Sequence, residues 1–297
     1  MDNRNGEIIM KKSTKILTLI IALCILVGLV SGCAAKDKTE PIQATNRLED
    51  ILARGYMEVA TEPYFPPYEF IDPSKKGNEQ YVGSDIELAQ YIADELGVEL
   101  RVVPLEFSAV LSSITEGKYD MAISALSYTP ARAEAMNMTK GYYFAEAGDG
   151  HGLLIRKEDA ANIKGPDDIS DKIVVAQSGS LQELFVNDQI PKYKEFKRVS
   201  TTTDGFLMVQ ENKADVCATY IPTGQLYIDA NVDCGLMIVE NFKFTEDEST
   251  AGNRIGIPLG EDELTAKINE IIDKLISSGK YEEWHKEYNE YATNLGL

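Results

Sequence analysis

Histidine and cysteine are scarce in this chain, whose 297 residues include two histidines, His151 and His285, and four cysteines. No two cysteines are spaced as Cys-x-x-Cys, so the ligands of a typical structural zinc site are missing. The motifs Gly-x-Ser-x-Gly and His-Glu-x-x-His are also absent, and no nucleophile lies beside a base at a recognisable spacing. We therefore expect no metal, no cofactor and no enzymatic activity.

Positive charge and long apolar segments are also in short supply. Lysine and arginine number 29 against 48 aspartates and glutamates, which gives a formal net charge of −19. A field of that sign repels phosphate backbones, so we expect no nucleic-acid partner. The apolar run at residues 16–30 is shorter than the roughly 20 residues that a comfortable membrane-spanning helix needs. Hydrophobic residues make up 44% of the chain, which is ordinary for a globular protein with a sizeable core.

The amino-terminal segment has the pattern of an export signal. Three lysines precede the apolar run, and the run ends at Ser31-Gly32-Cys33. Small residues directly before a cysteine resemble the bacterial lipobox, in which the cysteine is acylated and becomes the mature amino terminus. This resemblance predicts a lipoprotein signal peptide over residues 1–32, acylation of Cys33 and a lipidated tether over residues 33–45. The protein would then be anchored on the extracytoplasmic face of the cell membrane; an uncleaved membrane anchor is the alternative.

Two further cysteines, Cys217 and Cys234, lie far from this signal. In an exported protein such a pair is a candidate disulfide. Cys217 also lies in an apolar, strand-like run, which is typical of a buried free thiol. The sequence leaves both possibilities open.

From Asn46 onward the hydrophobic pattern alternates between strands and helices. Short apolar runs predict strands at residues 56–60, 100–103, 121–123, 173–176, 216–219 and 236–239. Helical spacing predicts helices at residues 84–96, 110–116, 181–186, 206–212, 221–230, 264–278 and 281–288. Ser84 and Glu87 predict a capping box at the start of the first of these helices, and Gly97 predicts its end. Repeated alternation favours parallel sheets covered on both faces, which bind ligands at the carboxyl ends of their strands.

A series of short motifs runs through almost the whole chain in a fixed order. They are 64–70 (YFPPYEF), 82–89 (VGSDIELA), 117–120 (GKYD), 127–132 (SYTPAR), 175–180 (VAQSGS), 214–216 (ADV) and 255–257 (IGI). From about Leu48 to Tyr288, the series resembles the family 3 extracellular solute-binding proteins of polar amino acid ABC transporters. Each motif alone is weak evidence, but their shared order is specific.

The resemblance implies an α/β, bilobal, type II periplasmic-binding-protein fold with two parallel-sheet lobes joined by a two-strand hinge. Lobe one would comprise residues 46–146 and 249–297, and lobe two residues 147–248, with crossovers near Glu146 and Thr250. It also implies a monomer that closes around an amino acid, or a related small carboxylate, and delivers it to an ABC permease. Two alternatives remain: a cyclohexadienyl dehydratase-like enzyme on the same fold, and a solute-sensing lipoprotein.

The resemblance assigns the ligand's carboxylate chiefly to one side chain. Arg132 matches the arginine that clamps the ligand's α-carboxylate, a task that requires a planar, permanently charged fork. A surface salt bridge between Arg132 and Glu134 is the alternative. Ser127 would add a hydroxyl to the same carboxylate, and Ala125 and Ser127 would offer backbone groups at the end of their strand.

Other positions would contact the rest of the ligand. Phe65 and Phe107 match two aromatic residues that enclose the ligand's side chain, and Glu62 matches an acidic position near its distal end. In lobe two, backbone N–H groups at a helix start can make a second carboxylate contact. The candidates there are Gln177, Ser180 and Leu181.

Tyr220 is where this chain departs from the family pattern. The family usually places an aspartate there, which pairs with the ligand's α-ammonium; Thr219, the preceding residue, is a further candidate contact. A tyrosine can accept a hydrogen bond and offer its ring face to a cation, but it carries no full negative charge at neutral pH. Either Glu62 or the tyrosine ring supplies the partner, the ligand lacks an α-ammonium, or the comparison is displaced by one residue. His151, in a glycine-rich stretch, is interpreted as part of the hinge or linker.

Overall fold

The structure is a computed structural model that describes residues 46–144, 149–247 and 251–297. The predicted signal peptide, Cys33, the tether and both predicted crossover positions lie outside these residues. Within the described ranges, no helix is both long enough and apolar enough to cross a membrane.

The elements alternate along the chain as predicted, and every predicted strand and helix is present. The strands are β1 (Tyr56–Thr61), β2 (Tyr64–Phe65), β3 (Glu69–Ile71), β4 (Tyr81–Val82), β5 (Glu99–Pro104), β6 (Met121–Ser127), β7 (Met136–Met138), β8 (His151–Arg156), β9 (Ile173–Gln177), β10 (Glu195–Val199), β11 (Val216–Tyr220), β12 (Leu236–Ile238) and β13 (Asn253–Pro258). The α-helices are α1 (Arg47–Arg54), α2 (Ser84–Leu96), α3 (Phe107–Thr115), α4 (Pro130–Ala135), α5 (Leu181–Gln189), α6 (Thr202–Gln210), α7 (Ile221–Ala230), α8 (Asp262–Ser278) and α9 (Lys280–Leu295).

Each lobe is built on one five-stranded sheet. The strand order is β5-β1-β6-β13-β7 in lobe one and β10-β9-β11-β8-β12 in lobe two. The first three strands of each sheet are parallel, whereas β13 and β8 run antiparallel to both of their neighbours. The predicted two-lobed α/β fold is confirmed, but the sheets are mixed rather than purely parallel.

The antiparallel strand in each sheet follows from where the chain enters the lobe. His151, the first residue of β8, pairs with Tyr220, the last residue of β11. Asn253, the first residue of β13, likewise pairs with Ser127, the last residue of β6. Both strands therefore begin at the edge where the parallel strands end, and they must run away from it. That edge is where α/β sheets bind ligands.

The start of α2 differs from its prediction. Ser84 is the first helical residue rather than the cap, and its hydroxyl lies 3.0 Å from the hydroxyl of Tyr281. Glu87 accepts a hydrogen bond from the Tyr288 hydroxyl at 2.6 Å. The predicted capping box is wrong, because both side chains instead hold the carboxy-terminal helix α9 against α2. The predicted end at Gly97 is confirmed, since that residue adopts a left-handed conformation with φ of 71°.

The two cysteines of lobe two are free. Cys217, on β11, and Cys234 are both buried in one apolar core of this lobe. Burial raises the pKa of the Cys217 thiol. The disulfide alternative is therefore wrong for this structure, and the two thiols pack as small apolar groups.

Candidate ligand-binding site

A cavity of about 480 Å³ lies between the two sheets, at the carboxyl ends of their parallel strands. Its volume is typical of small-molecule sites. The predicted ligand residues that line it are Glu62, Phe65, Phe107, Ala125, Ser127, Arg132, Gln177, Ser180, Leu181 and Tyr220. Thr219 is the exception: it is fully buried, and its hydroxyl donates to the carbonyl of Tyr220. The fold thus brings residues of both lobes together around one cavity, and Thr219 is not among its lining residues.

Arg132 is held at the start of α4 by its helix cap. Thr129 caps this helix by accepting a hydrogen bond from the Arg132 backbone N–H at 3.1 Å. The guanidinium donates to the carbonyls of Ser127, at 2.7 Å, and Gly179, at 3.0 Å, so it touches both lobes. The alternative salt bridge to Glu134 does not form, and Arg132 makes no ion pair with any residue that the structure describes. The site therefore contains a cation whose counter-charge the described part of the protein does not supply.

Burial makes an unpaired charge at Arg132 energetically costly. Arg132 is only 9% exposed, and desolvation lowers its pKa from the ordinary arginine value to about 10. The guanidinium still carries its charge at neutral pH. A buried charge is stable only when it is paired and hydrogen-bonded, so an anion with two oxygens is the ligand group that suits it.

Aromatic rings form much of the remaining wall. The Arg132 guanidinium lies over the Phe107 ring, 5.5 Å from its centroid. Phe65 stacks on Tyr68 with ring centroids 5.5 Å apart and an interplanar angle of 13°. Together these rings offer an apolar surface for the stem of a ligand side chain.

Two buried acidic residues of lobe one, Glu62 and Glu69, line the cavity, and we refer to them as its acidic floor. Glu62 is 1% exposed, and its Oε1 has no hydrogen-bond partner among the described residues. The pKa of Glu62 is raised to about 8, chiefly by burial; Gln177 lowers it, and Asp204 and Glu106 contribute smaller increases to the same value. Glu69 accepts a hydrogen bond from the Ser124 hydroxyl at 2.9 Å, and burial also raises its pKa. A donor or cation from a ligand would compensate the unpaired Glu62 oxygen.

Asp85 positions the end of β6, the strand that carries Ala125. Its carboxylate accepts hydrogen bonds from the backbone N–H of Ala125, at 2.7 Å, and from the Tyr142 and Tyr281 hydroxyls. Ala125 adopts a left-handed conformation with φ of 46°, which is unusual for a residue with a side chain. Its N–H is therefore already engaged and is not one of the backbone groups that the sequence suggested for the ligand.

The lobe-two loop is shaped by the start of α5. Ser180 caps this helix by accepting from the Glu183 N–H at 3.1 Å, and its hydroxyl donates to the carbonyl of Gln177 at 2.7 Å. Gly179 precedes it with φ of +75°, a conformation that favours glycine. Leu181 and Gln182, the first two residues of α5, follow this loop and line the cavity.

Tyr220 lies beside an acid that the sequence did not indicate. Its hydroxyl donates to Asp149 Oδ2 at 3.3 Å, and Asp149 also lines the cavity. His151, interpreted from the sequence as a linker residue, is the first residue of β8 and lines the cavity as well. Its Nδ1 lies 2.9 Å from Glu246 Oε1.

Several lining residues were not identified from the sequence. They are Tyr68, Glu69, Ser124, Tyr143, Phe144, Asp149, Gly150, His151, Gln182, Lys243, Phe244, Glu246, Ala251, Gly252 and Asn253. Tyr68 and Glu69 lie in one of the family motifs, so that motif could have indicated them. The residues after position 242 and around 149 flank the crossovers, where no local pattern marks a residue as facing a cavity.

Comparison with known proteins identifies the family. The family model for "Bacterial extracellular solute-binding proteins, family 3" matches residues 57–291. The arginine-binding extracellular protein ArtP of Bacillus subtilis is 24% identical over 283 residues, covering 92% of this chain and 97% of the relative. The ABC transporter arginine-binding protein 1 of Escherichia coli is 24% identical over 220 residues, covering 73% of this chain and 84% of the relative.

Solved structures agree with this assignment. The substrate-binding protein AbpA of a Streptococcus pneumoniae amino acid ABC transporter, bound to L-arginine, superposes with a TM-score of 0.73 at 29% identity, covering 82% of this chain and 98% of that one. An ancestral amino acid-binding protein described as a precursor of cyclohexadienyl dehydratase gives a TM-score of 0.69 at 25% identity, covering 81% and 98%. The family resemblance of the sequence motifs is confirmed: this chain belongs to the family 3 bacterial extracellular solute-binding proteins.

Proposed function

We propose that this protein is the substrate-binding component of an ABC importer and that it captures a free amino acid with a cationic side chain. The observation that carries this proposal is the buried Arg132 guanidinium, which makes no ion pair with a described residue and lines the same cavity as Glu62 and Glu69. The guanidinium pairs with the α-carboxylate of the ligand, and the acidic floor receives the cationic end.

The balance of charges along the cavity favours a cationic side chain. Its acidic lining residues are Glu62, Glu69, Asp149 and Glu246, whereas Arg132 and Lys243 are the lysines or arginines among the described lining residues. Once a carboxylate occupies Arg132, a guanidinium or ammonium group beside Glu62 and Glu69 would stabilise their ionised forms, whereas a second anionic group would oppose that ionisation. The names of relatives such as ArtP, which describe arginine-binding proteins, support the same ligand class.

Closure of two lobes around the ligand explains how binding is signalled. We assign residues 46–146 and 249–297 to lobe one and residues 147–248 to lobe two. A ligand that touches Arg132 from one lobe and the loop before α5 from the other stabilises the closed form, because those contacts coexist only when the lobes are together. The permease then distinguishes the closed, loaded monomer from the open one.

A thermal-shift screen tests this function. L-Arginine or L-lysine should raise the melting temperature, because a ligand at 100 times its Kd adds about 2.7 kcal/mol to the free energy of unfolding. For a protein of this size that corresponds to a rise of about 5–10 °C. L-Glutamate and L-aspartate should produce no shift. A protein that responds to no amino acid would contradict the proposal.

One observation favours an enzymatic alternative enough to include it in the screen. Glu62, with a pKa raised to about 8, is protonated at neutral pH and could act as a general acid in the cavity. Prephenate and arogenate are therefore added to the panel, with product formation followed by absorbance. Turnover of either compound, without an amino acid response, would replace the transport function by a dehydratase function.

We further propose that acylated Cys33 anchors the protein at the membrane. Cys33→Ser should move the protein from the membrane fraction to the soluble fraction and abolish incorporation of labelled palmitate, because the lipid chains provide the anchoring. Cys24→Ser, which changes the other cysteine of the amino-terminal segment, is the matched control and should remain in the membrane fraction. Retention of the Cys33→Ser variant in membranes would indicate an uncleaved apolar anchor instead.

A further inference from the structure

The α-ammonium of the proposed ligand needs a negative partner that position 220 does not provide. Burial, with a further contribution from Asp149, raises the pKa of Tyr220 above its ordinary value of 10, so its hydroxyl is neutral at physiological pH. Enclosing an ammonium group without a counter-charge costs several kcal/mol. Another carboxylate must therefore form the ion pair with the α-ammonium that the family resemblance assigns to an aspartate at position 220.

Among the described residues, four with carboxyl groups line the cavity, and their surroundings distinguish them. Glu62 and Glu69 belong to the buried floor of lobe one, where both carboxyl groups have raised pKa values and Glu69 accepts from Ser124. Glu246 accepts hydrogen bonds from the His151 backbone N–H, at 3.2 Å, and lies 2.9 Å from its Nδ1. We assign Glu62 and Glu69 to the cationic end of the ligand, and Glu246 is paired with His151.

Asp149 is the carboxylate that stands beside position 220. Its Oδ2 accepts a hydrogen bond from the Tyr220 hydroxyl at 3.3 Å, and both residues line the cavity. Lys243 Nζ donates to the backbone carbonyl of Asp149 at 3.2 Å and so helps to hold this segment in place.

We propose that Asp149, positioned by Tyr220, is the residue that pairs with the α-ammonium of the ligand. The negative charge thus comes from a residue just before β8 rather than from the end of β11. The Tyr220 hydroxyl holds this carboxylate beside position 220. This inference rests on the proposed function, because it requires an α-amino acid as the ligand. Tyr220 is a positioning residue whose hydroxyl orients the carboxylate.

The test compares L-arginine with its deaminated analogue, guanidinovaleric acid, by isothermal titration calorimetry. Asp149→Asn should weaken L-arginine binding by about 30-fold or more, as expected for truncating one partner of a buried charge pair. The deaminated analogue should bind this variant and the wild type equally. Asp188→Asn, which removes an exposed charge from α5, should leave both affinities unchanged.

Two further variants separate a ligand contact from a structural role. Tyr220→Phe keeps the ring but removes the hydroxyl that orients Asp149, so it should cause a smaller, equally amine-selective loss. Adding Tyr220→Asp to Asp149→Asn should restore L-arginine binding, because the charge then returns to position 220. Melting temperatures measured without ligand verify that each variant is folded.

The possible outcomes are distinguishable. Suppose that the wild type binds L-arginine. If Asp149→Asn then lowers the affinities for L-arginine and for the deaminated analogue equally, or lowers neither affinity, this inference fails while the proposed function stands. If amine selectivity is lost in Glu62→Gln instead, the partner is Glu62. If the wild type binds no α-amino acid, both proposals fail together.

Discussion

Replacing Arg132 with methionine is expected to weaken L-arginine binding by at least about 30-fold while the protein still folds. The guanidinium is buried and has no counter-ion among the described residues, and we propose that it pairs with the α-carboxylate of the ligand. Removing one partner of such a buried, hydrogen-bonded pair costs about 2–5 kcal/mol of binding free energy. Methionine preserves much of the apolar stem of the arginine side chain, so the loss reflects the charge more than the packing. Isothermal titration calorimetry measures the affinities.

Three comparisons make this result specific. Arg132→Lys keeps the charge but loses the planar fork, so its affinity should lie between those of the wild type and Arg132→Met. Arg101→Met removes a partly exposed arginine that pairs with Glu99, outside the cavity, and should leave binding unchanged. Agmatine, which is arginine without its carboxylate, should bind Arg132→Met as well as it binds the wild type. Undiminished L-arginine affinity in Arg132→Met would show that the carboxylate binds elsewhere.

The second large effect is a rise in L-arginine affinity between about pH 6 and pH 8, approaching tenfold per pH unit at the lower end. Burial raises the pKa of Glu62 to about 8, so this carboxyl group is protonated in the unliganded protein over most of that range. A guanidinium group placed beside it favours the ionised form. Binding therefore releases a proton, and this release becomes easier as the pH approaches the raised pKa.

The groups that face Glu62 support this sign. Asp204 and Glu106 raise its pKa in addition to burial, Gln177 lowers it, and Glu62 in turn raises the pKa of Glu69. Burial lowers the pKa of His285 to about 4, so that side chain stays neutral throughout the range and does not contribute to the slope. Calorimetry in buffers with different ionisation enthalpies counts the released protons directly.

Glu62→Gln provides the decisive variant for the pH effect. It should bind L-arginine with little dependence on pH and, at pH 8, more weakly than the wild type. L-Citrulline, which has the shape of arginine but a neutral end, should show no rise with pH in the wild type. Glu240→Gln, an exposed change outside the cavity, is the matched control and should keep the full slope. A pH-independent wild-type affinity would contradict the assignment of Glu62 to the cationic end.

The sequence was most informative where local pattern and family motif coincide. Apolar periodicity predicted β6 and α2, and the motif ending in Arg132 placed the guanidinium at the end of β6. The structure brings Arg132 together with Phe65, Phe107 and Gln177 around one cavity. Such residues lie at strand ends and helix starts, which the alternation of elements already locates.

Sequence-based predictions were wrong where a side chain has more than one possible hydrogen-bond partner. Ser84 and Glu87 have the spacing of a capping box, but their partners are Tyr281 and Tyr288, about 200 residues away in sequence. A local motif specifies what a side chain can do, and tertiary packing selects which of those bonds forms. The antiparallel entry of β8 and β13 was missed for a related reason: strand direction depends on where the chain re-enters a lobe.

The amino-acid sequence by itself determined the family, the two-lobed α/β architecture and the arginine at the centre of the proposed site, because these depend on periodicity and on motifs contiguous along the chain. Only the tertiary structure decided that Arg132 lacks an ion-pair partner among the described residues, that Glu62 is buried and that Asp149 stands beside Tyr220, 71 residues away. Desolvation and pairing between distant residues arise only when the lobes are folded and in contact, so no local pattern records them.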